Sequence, residues 1–241
     1  MIKKLFRVSR FLHKWAGLFL AVQILLWILG GVVMSVIPLE KVHGDHLAIK
    51  NLNYEIDNSQ YAFSLDTLRL KVSEPIHSIS LTEFLGEPYY AFQTTSGAQL
   101  FHAITGDIKG RINADEAALI ANQHYLGDGN LVERKLLDKA PMEASRNKGQ
   151  VWQLRFDDTW NTTLYVSPTS GKLTTIRSDL WRIFDFFWML HIMDYDERED
   201  FNNPLLITFS ISALMFTLTG IILLFKSFNI TGNKKHKRTN K

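Results

Sequence analysis

Two long apolar stretches without a charged residue constrain this chain more than any other feature. Each is 22 residues long; the first covers 16–37 and the second covers 204–225. A helix needs about 20 apolar residues to cross the hydrocarbon core of a bilayer, because every backbone N–H and C=O there must be paired within the segment. The sequence therefore predicts two transmembrane helices, 16–37 and 204–225.

The distribution of charge predicts how these helices are oriented. The segments 1–15 and 226–241 hold 11 Lys and Arg and no acidic residue, whereas all 24 Asp and Glu lie within 40–200. Since basic residues beside a span favour the cytoplasmic side, we expect a cytoplasmic basic N-terminus, a cytoplasmic basic tail and an external 38–203. That central region has 16 Lys and Arg against its 24 acids, so the basic pI gives no support for nucleic-acid binding.

A cleaved signal peptide is the alternative interpretation of the first stretch. The apolar part of such a peptide has about 7–15 residues and ends at a small-residue cleavage site. This stretch is longer and continues through Gly30–Ser35 without an Ala-x-Ala sequence, which favours an uncleaved anchor. The chain has no cysteine, which excludes disulfides and thiolate metal sites and is compatible with a bacterial periplasm.

The external segment 38–178 has a mixed α and β pattern that repeats once. Asn113 and Glu116 form a capping-box signature at the start of a helix predicted over 112–126. Strands follow at 131–138, 151–156, 162–166 and 172–176. The earlier half has a shorter helix at 64–72 and strands at 79–85, 89–95 and 99–103. A duplication with a period of about 60 residues accounts for this order; the alternative is a chance likeness between two hairpins that end in glycine.

Several of these segments resemble a known family. Asn113–Ala117, Val151–Phe156 and Leu164–Leu173 resemble a PepSY domain, a small unit of one helix and an antiparallel sheet. His13–Gly17, Glu40–Leu47 and Leu180–Tyr195 resemble the PepSY-associated transmembrane proteins of the inner membrane of Gram-negative bacteria. The resemblance implies a membrane-anchored α+β fold in which two transmembrane helices flank a periplasmic domain of two PepSY-like units.

The segment 179–195 predicts an amphipathic helix at the outer membrane surface. A helix of about 16 residues covers about 24 Å, which is too short to cross the bilayer comfortably. A third crossing would also place the basic tail outside. His191 falls on the same face as Phe184 and Phe187, either as a packing residue or as a ligand.

Histidines near both membrane surfaces are the candidate site residues. Larger relatives in the family include inner-membrane reductases of ferric siderophores, in which membrane histidines hold haem. The resemblance therefore suggests His13, His46 and His191 as haem ligands, since imidazole is a common ligand of haem iron, zinc and copper. The predicted position near the outer surface also gives a metal set of His43, His46, His191 and Asp194. The alternatives are an interfacial His13 and a structural polar loop around His43 and His46. Gln23, inside the first span, predicts contact between the two spans or between two copies.

Two functions follow from these features. The first is a redox accessory that assists the reduction of periplasmic iron or siderophore, together with a second copy or a membrane partner. The second is a membrane-tethered binding module for a periplasmic peptidase or envelope protein, as the resemblance to PepSY domains implies. No nucleophile, metalloprotease or nucleotide-binding motif is present. We therefore expect a non-autonomous accessory or binding module rather than a self-sufficient enzyme.

Overall fold

The computed structural model describes residues 2–55 and 57–236, so the end of the predicted basic tail, 237–241, lies outside the described residues. The chain forms two compact units. The helical unit comprises the described parts of 1–37 and 184–241, and the sheet unit comprises those of 38–183.

Two long helices dominate the helical unit. Helix α1 covers Ile2–Val36 and helix α6 covers Pro204–His236. The segments Phe6–Val36 and Pro204–Phe225 are long and apolar enough to cross a membrane. Two apolar helices were expected at 16–37 and 204–225, and the structure forms both.

The exposure of these helices distinguishes them from the core helices of a soluble domain. Only 11% of the most apolar window of Phe6–Val36 and 6% of that of Pro204–Phe225 are buried. Leu18 is 70% exposed and Phe19 is 71% exposed. A soluble protein rarely leaves so much contiguous apolar surface without cover. The two helices therefore have the character of membrane-associated segments.

Helices α1 and α6 pack against each other in antiparallel directions. A Cβ atom on Gly17 would lie 2.9 Å from Phe216 Cε2, so the absence of a side chain permits this close approach. The rings of Phe19 and Phe209 stack with their centroids 5.5 Å apart. The structure thus pairs the two predicted spans within one chain, which is one of the two arrangements expected.

The sheet unit contains two antiparallel sheets, each preceded by a helix. A short helix α2, Leu39–His43, opens the unit, and Asn58–Gln60 and Met142–Ala144 form single 3-10 turns. The first half has α3 (Leu65–Lys71), β1 (Ile76–Phe84), β2 (Glu87–Thr94) and β3 (Gly97–His102). The second half has α4 (Ala114–His124), β4 (Leu131–Leu137), β5 (Val151–Phe156), β6 (Thr163–Val166) and β7 (Leu173–Arg177). Helix α5, Asp179–Ile192, begins in this unit and ends in the helical unit.

Strand order supports the predicted internal repeat. The sheets have the orders β1-β2-β3 and β4-β5-β6-β7, so each is a simple meander. In the first half, a single bridge between Phe101 and Ile108 takes the place that β7 occupies in the second. Gly106 and Gly171 end the corresponding turns with φ values of +71° and +68°, which glycine adopts without a steric penalty.

Each half buries one face of its helix against its own sheet. Leu68 of α3 is fully buried against a cluster that includes Phe92 and Phe101. Helix α4 buries Ala117 and Ala121 in the larger core. The predicted capping box is confirmed, since the Asn113 side chain accepts from Glu116 N and Glu116 accepts from Asn113 N.

Helix α4 ends earlier than expected. The prediction extended it over 112–126, but Tyr125 already has extended backbone torsions. The physical reason is a tertiary contact: the Tyr125 ring stacks on Phe156 with centroids 3.8 Å apart. The flanking residues Leu126 and Ile49 take part in backbone hydrogen bonds that join the segments 47–49 and 124–126.

Candidate functional site

The end of helix α5 meets helix α1 in a small polar contact. Gln23 is only 8% exposed, and its Nε2 atom donates to the backbone oxygen of Leu190 at 3.2 Å. Leu190 lies in the last turn of α5, where backbone carbonyls have no partner within the helix. Gln23 therefore finds a partner on another helix, as its place inside an apolar span predicts.

His191 lies one residue further along α5, and its side chain has no hydrogen bond to any residue that the structure describes. Its Nδ1 atom is buried without a partner, and so is Nε1 of Trp27 on α1. The two rings are near each other, with centroids 6.3 Å apart and planes inclined by 49°. A buried polar atom without a partner costs about 1–3 kcal/mol, so each such atom in a native structure requires a specific explanation. A bound ligand is one such explanation.

Gly30 allows the two helices to come together at this point. A Cβ atom on Gly30 would lie 3.4 Å from the backbone oxygen of Phe187 and 3.8 Å from His191 Nδ1. A larger residue would therefore occupy the space beside the histidine ring. Gln23, Trp27, Gly30 and the end of α5 form what we call the His191 site.

His13 occupies a different place in the helical unit. Its Nδ1 atom is 3.1 Å from the backbone oxygen of Phe216 and 3.2 Å from Thr219 Oγ1. Its ring stacks on Phe216 with centroids 4.2 Å apart. If Nδ1 carries the proton and donates to Phe216, Nε2 keeps a lone pair that can bind a metal. His13 thus packs between the two long helices, and in that tautomer its Nε2 atom is the one that could bind a metal.

The two histidines are far apart along α1. His13 is itself on α1, while His191 contacts that helix at Trp27 and Gly30. A separation of 14–17 residues corresponds to about 21–26 Å of helix. His13 and His191 therefore cannot bind the same haem, and each is a separate candidate ligand.

His43 and His46 lie in the sheet unit and are both exposed. Gly44 between them has φ +80°, and a Cβ there would lie 2.6 Å from Ile176 Cγ2. The segment is therefore held by Gly44 and its buried neighbours, while both imidazoles point to the surface. This geometry agrees with the polar-loop alternative and leaves the rings accessible.

Asp194, the fourth predicted metal ligand, orders the loop between α5 and α6. Its carboxylate accepts the backbone N–H groups of Asp200 and Glu199 at 3.0 Å and that of Asp196 at 3.2 Å. These hydrogen bonds, with the one from Asp200 contributing most, lower the pKa of Asp194 below its ordinary value. Within 2–55 and 57–236, no three His, Asp or Glu side chains form a group that could hold a metal ion. The four-residue metal set stays a prediction without a counterpart in this structure.

The other end of α5 is fastened to the sheet unit by an ion pair. Arg182 donates through Nε and Nη2 to Glu143 at 2.9 and 3.0 Å, and the Tyr165 hydroxyl donates to the same carboxylate at 2.6 Å. Burial raises the pKa of Glu143, but the hydrogen bonds from Arg182 and Tyr165 outweigh it, so this pKa lies below its usual value. The hydrogen bonds among Arg182, Glu143 and Tyr165 fix the start of α5 within the sheet unit.

Sequence reasoning identified the histidines and Gln23 but not their neighbours. Trp27 and Gly30 belong to the site, and with Gln23 they occupy positions i, i+4 and i+7 of one helix face. That spacing is the sequence signal that could have identified Trp27 and Gly30 as neighbours of Gln23. Glu143 and Arg182 are 39 residues apart, and no local pattern connects them.

Comparison of the chain with protein-family models, with curated proteins and with solved structures finds no match. What the fold and the site define is a class: two helices apolar and long enough to cross a membrane, joined to an α+β unit with two antiparallel sheets. The resemblance to PepSY-associated proteins stays a prediction.

Proposed function

We propose that this chain is an inner-membrane accessory protein that takes part in electron transfer to a periplasmic acceptor such as a ferric siderophore. In this proposal both termini are cytoplasmic and the sheet unit is periplasmic. The exposed apolar faces of α1 and α6 and the acid-free basic termini support this placement. The chain acts with a partner, since it has no motif for binding a nicotinamide or flavin cofactor itself.

The single observation that carries the redox part is the unpaired His191 imidazole. Its Nδ1 atom is buried without a partner beside Trp27 and Gly30. A neutral imidazole in apolar surroundings is a common axial ligand of haem iron. His191 would hold such a haem and His13 a second one, and each would take its other axial ligand from elsewhere, such as a second copy or a partner subunit. Haem would supply one-electron chemistry.

An optical spectrum of the detergent-purified chain tests this proposal. We expect a Soret band that changes on reduction and that decreases in His191→Ala. His77→Ala is the matched control, because His77 is an exposed histidine of β1 that belongs to the sheet unit. Absence of both a Soret band and a bound metal in protein produced with sufficient iron and haem precursor would refute the redox proposal.

The edge of the first sheet favours a second candidate, a binding module for a peptide segment. Strand β1 pairs on one side only, with β2, and a cavity of about 300 Å³ is lined by its residues 80–84. An exposed edge of this kind can accept an added strand. We infer that a periplasmic partner bound here would survive His191→Ala and His46→Ala but not Leu81→Lys. Loss of the partner in the histidine variants would contradict this candidate.

A further inference from the structure

One cleft of the sheet unit is lined by basic residues and by no carboxylate. Its volume is about 380 Å³, and it lies among the start of β3, the loop 146–150 and the turn between β6 and β7. The basic lining residues are Arg111, Arg146, Lys148 and Lys172. No Asp or Glu is among the described lining residues. We call this the basic cleft.

The charge of this cleft is opposite to that of its surroundings. In the central region 40–200, 24 acidic residues outnumber 16 basic ones, so four basic side chains without an acid are a local reversal. Within 2–55 and 57–236, Glu74 and Asp138 contact lining residues through hydrogen bonds. Glu74 accepts from Ser96 N at 3.0 Å and from Ser96 Oγ at 2.6 Å, and Asp138 accepts from Gln150 Nε2 at 2.9 Å.

Most of the basic side chains are available to a ligand. Within the described part of the chain, Arg146, Lys148 and Lys172 form no ion pair and no side-chain hydrogen bond. Arg111 donates to Gln150 Oε1, which leaves its other guanidinium N–H groups free to bind. Ser170 and the hydrogen-bonded pair Ser167 and Thr169 add hydroxyl groups to the lining, whereas the Thr174 hydroxyl already donates to the backbone oxygen of Tyr165 at 2.8 Å.

This combination of groups is suited to one chemical class of ligand. Guanidinium and ammonium groups bind carboxylate and phosphate oxygens through short, charge-assisted hydrogen bonds. The volume falls within the range of about 300–1,000 Å³ that is typical of small-molecule sites. We propose that the basic cleft binds a small polyanion of the carboxylate or phosphate class. The cleft uses none of the histidines, so this inference does not rest on the proposed electron transfer.

Isothermal titration calorimetry of the full chain in a zwitterionic detergent tests the inference, with citrate and inorganic phosphate as probes. We expect citrate to bind, and its affinity to decrease with added salt. The double variant Arg146→Gln/Lys148→Gln should weaken citrate binding by roughly tenfold or more, because charge-assisted contacts are lost. The matched control is Lys135→Gln/Lys139→Gln, which removes the same charge from exposed residues outside the cleft.

Two further arms complete this experiment. A short-chain phosphatidylglycerol that displaces citrate would identify a lipid headgroup as the source of the anion, whereas failure to displace it would identify a soluble anion. Lys172→Gln, a single substitution of an exposed lining residue on another segment of the chain, should reproduce the loss if the double variant is poorly folded. Absence of binding to all three probes, or equal loss in the control variant, would overturn the inference. The Soret band of the same preparations reports on the redox proposal separately.

Discussion

Substitution of Glu143 by Gln tests how the start of helix α5 is held in the sheet unit. The change keeps the shape of the side chain but removes the charge that Arg182 contacts through two nitrogen atoms, at 2.9 and 3.0 Å. Hydrogen bonds to charged groups contribute about 1.5–3 kcal/mol each when they are buried. Arg182 is 36% exposed, and it retains Asp179 at 2.9 Å. Solvent screening therefore reduces the expected loss to about 1–2 kcal/mol.

A loss of this size is measurable by thermal unfolding of the full chain in detergent. For a unit of about 150 residues, 1 kcal/mol corresponds to about 2–4 °C, so Glu143→Gln should lower the Tm of the sheet unit by about 2–8 °C. Glu133→Gln is the matched control. The Arg155 Nε atom is also 2.9 Å from Glu133 Oε2, but the Arg155 side chain is 46% exposed and the Glu133 side chain is 42% exposed. We expect Glu133→Gln to change the Tm by less than about 2 °C.

The pH dependence of the Tm tests the contribution of the Glu143 carboxylate independently. The pKa of Glu143 is lowered in the folded state from its ordinary value of 4.5. A lowered carboxyl pKa contributes stability that is present above the unfolded pKa and is lost as pH falls through the folded pKa. The difference in Tm between the native chain and Glu143→Gln should therefore narrow below pH 4.5. Equal effects of Glu143→Gln and Glu133→Gln at neutral pH would refute this reasoning.

The remaining predictions concern the helix cap, the helix pair and the orientation. Asn113→Ala should lower the free energy of unfolding by about 1 kcal/mol, measured by thermal unfolding, because the cap of α4 is lost. Since the chain has no cysteine, the double variant Phe19→Cys/Phe209→Cys should be crosslinked by a short bifunctional maleimide if α1 and α6 pair as their stacked rings indicate. A membrane-impermeant maleimide applied to the periplasmic face should label Thr159→Cys but not Lys4→Cys; the reverse pattern would contradict the proposed orientation.

Local patterns accounted for most of the elements of this fold. The capping box at Asn113, the alternation in the strands and the glycine turns each act over a few residues, so sequence alone specifies them. The period of helix, strand and turn also predicted two similar halves, and the meanders have that order. The two apolar stretches, 16–37 and 204–225, predicted the two long helices because the length of an apolar stretch is also a local property of the sequence.

The features that the sequence did not predict arise from contacts between residues that are distant in the chain. Tyr125 leaves helix α4 early because its ring stacks on Phe156, 31 positions further on. The Glu143–Arg182 pair joins a 3-10 turn to α5, and no spacing rule predicts such a pair. The basic cleft combines side chains from segments around 111, 146 and 172. Each of these features requires the tertiary fold before it can be recognised.

The pairing of the two long helices gives the level of the His191 site along α1, relative to the residue at which α6 begins. Gly17 is level with Phe216, and Phe19 is level with Phe209. Because the helices are antiparallel and rise equally per residue, Pro204, where α6 begins, is level with about residues 24–29 of α1. His191 contacts α1 at the upper end of this range and just beyond it.

If α1 and α6 cross a membrane as we propose, a site at this level would lie near a membrane surface rather than at the bilayer centre. Helix α1 continues for about two to three turns past the level at which α6 begins. In that placement His191 would hold a haem at a level that an acceptor outside the membrane can approach. If the proposed electron transfer takes place, the antiparallel register of α1 and α6 would therefore favour exchange between the His191 site and a soluble acceptor rather than one confined to the lipid.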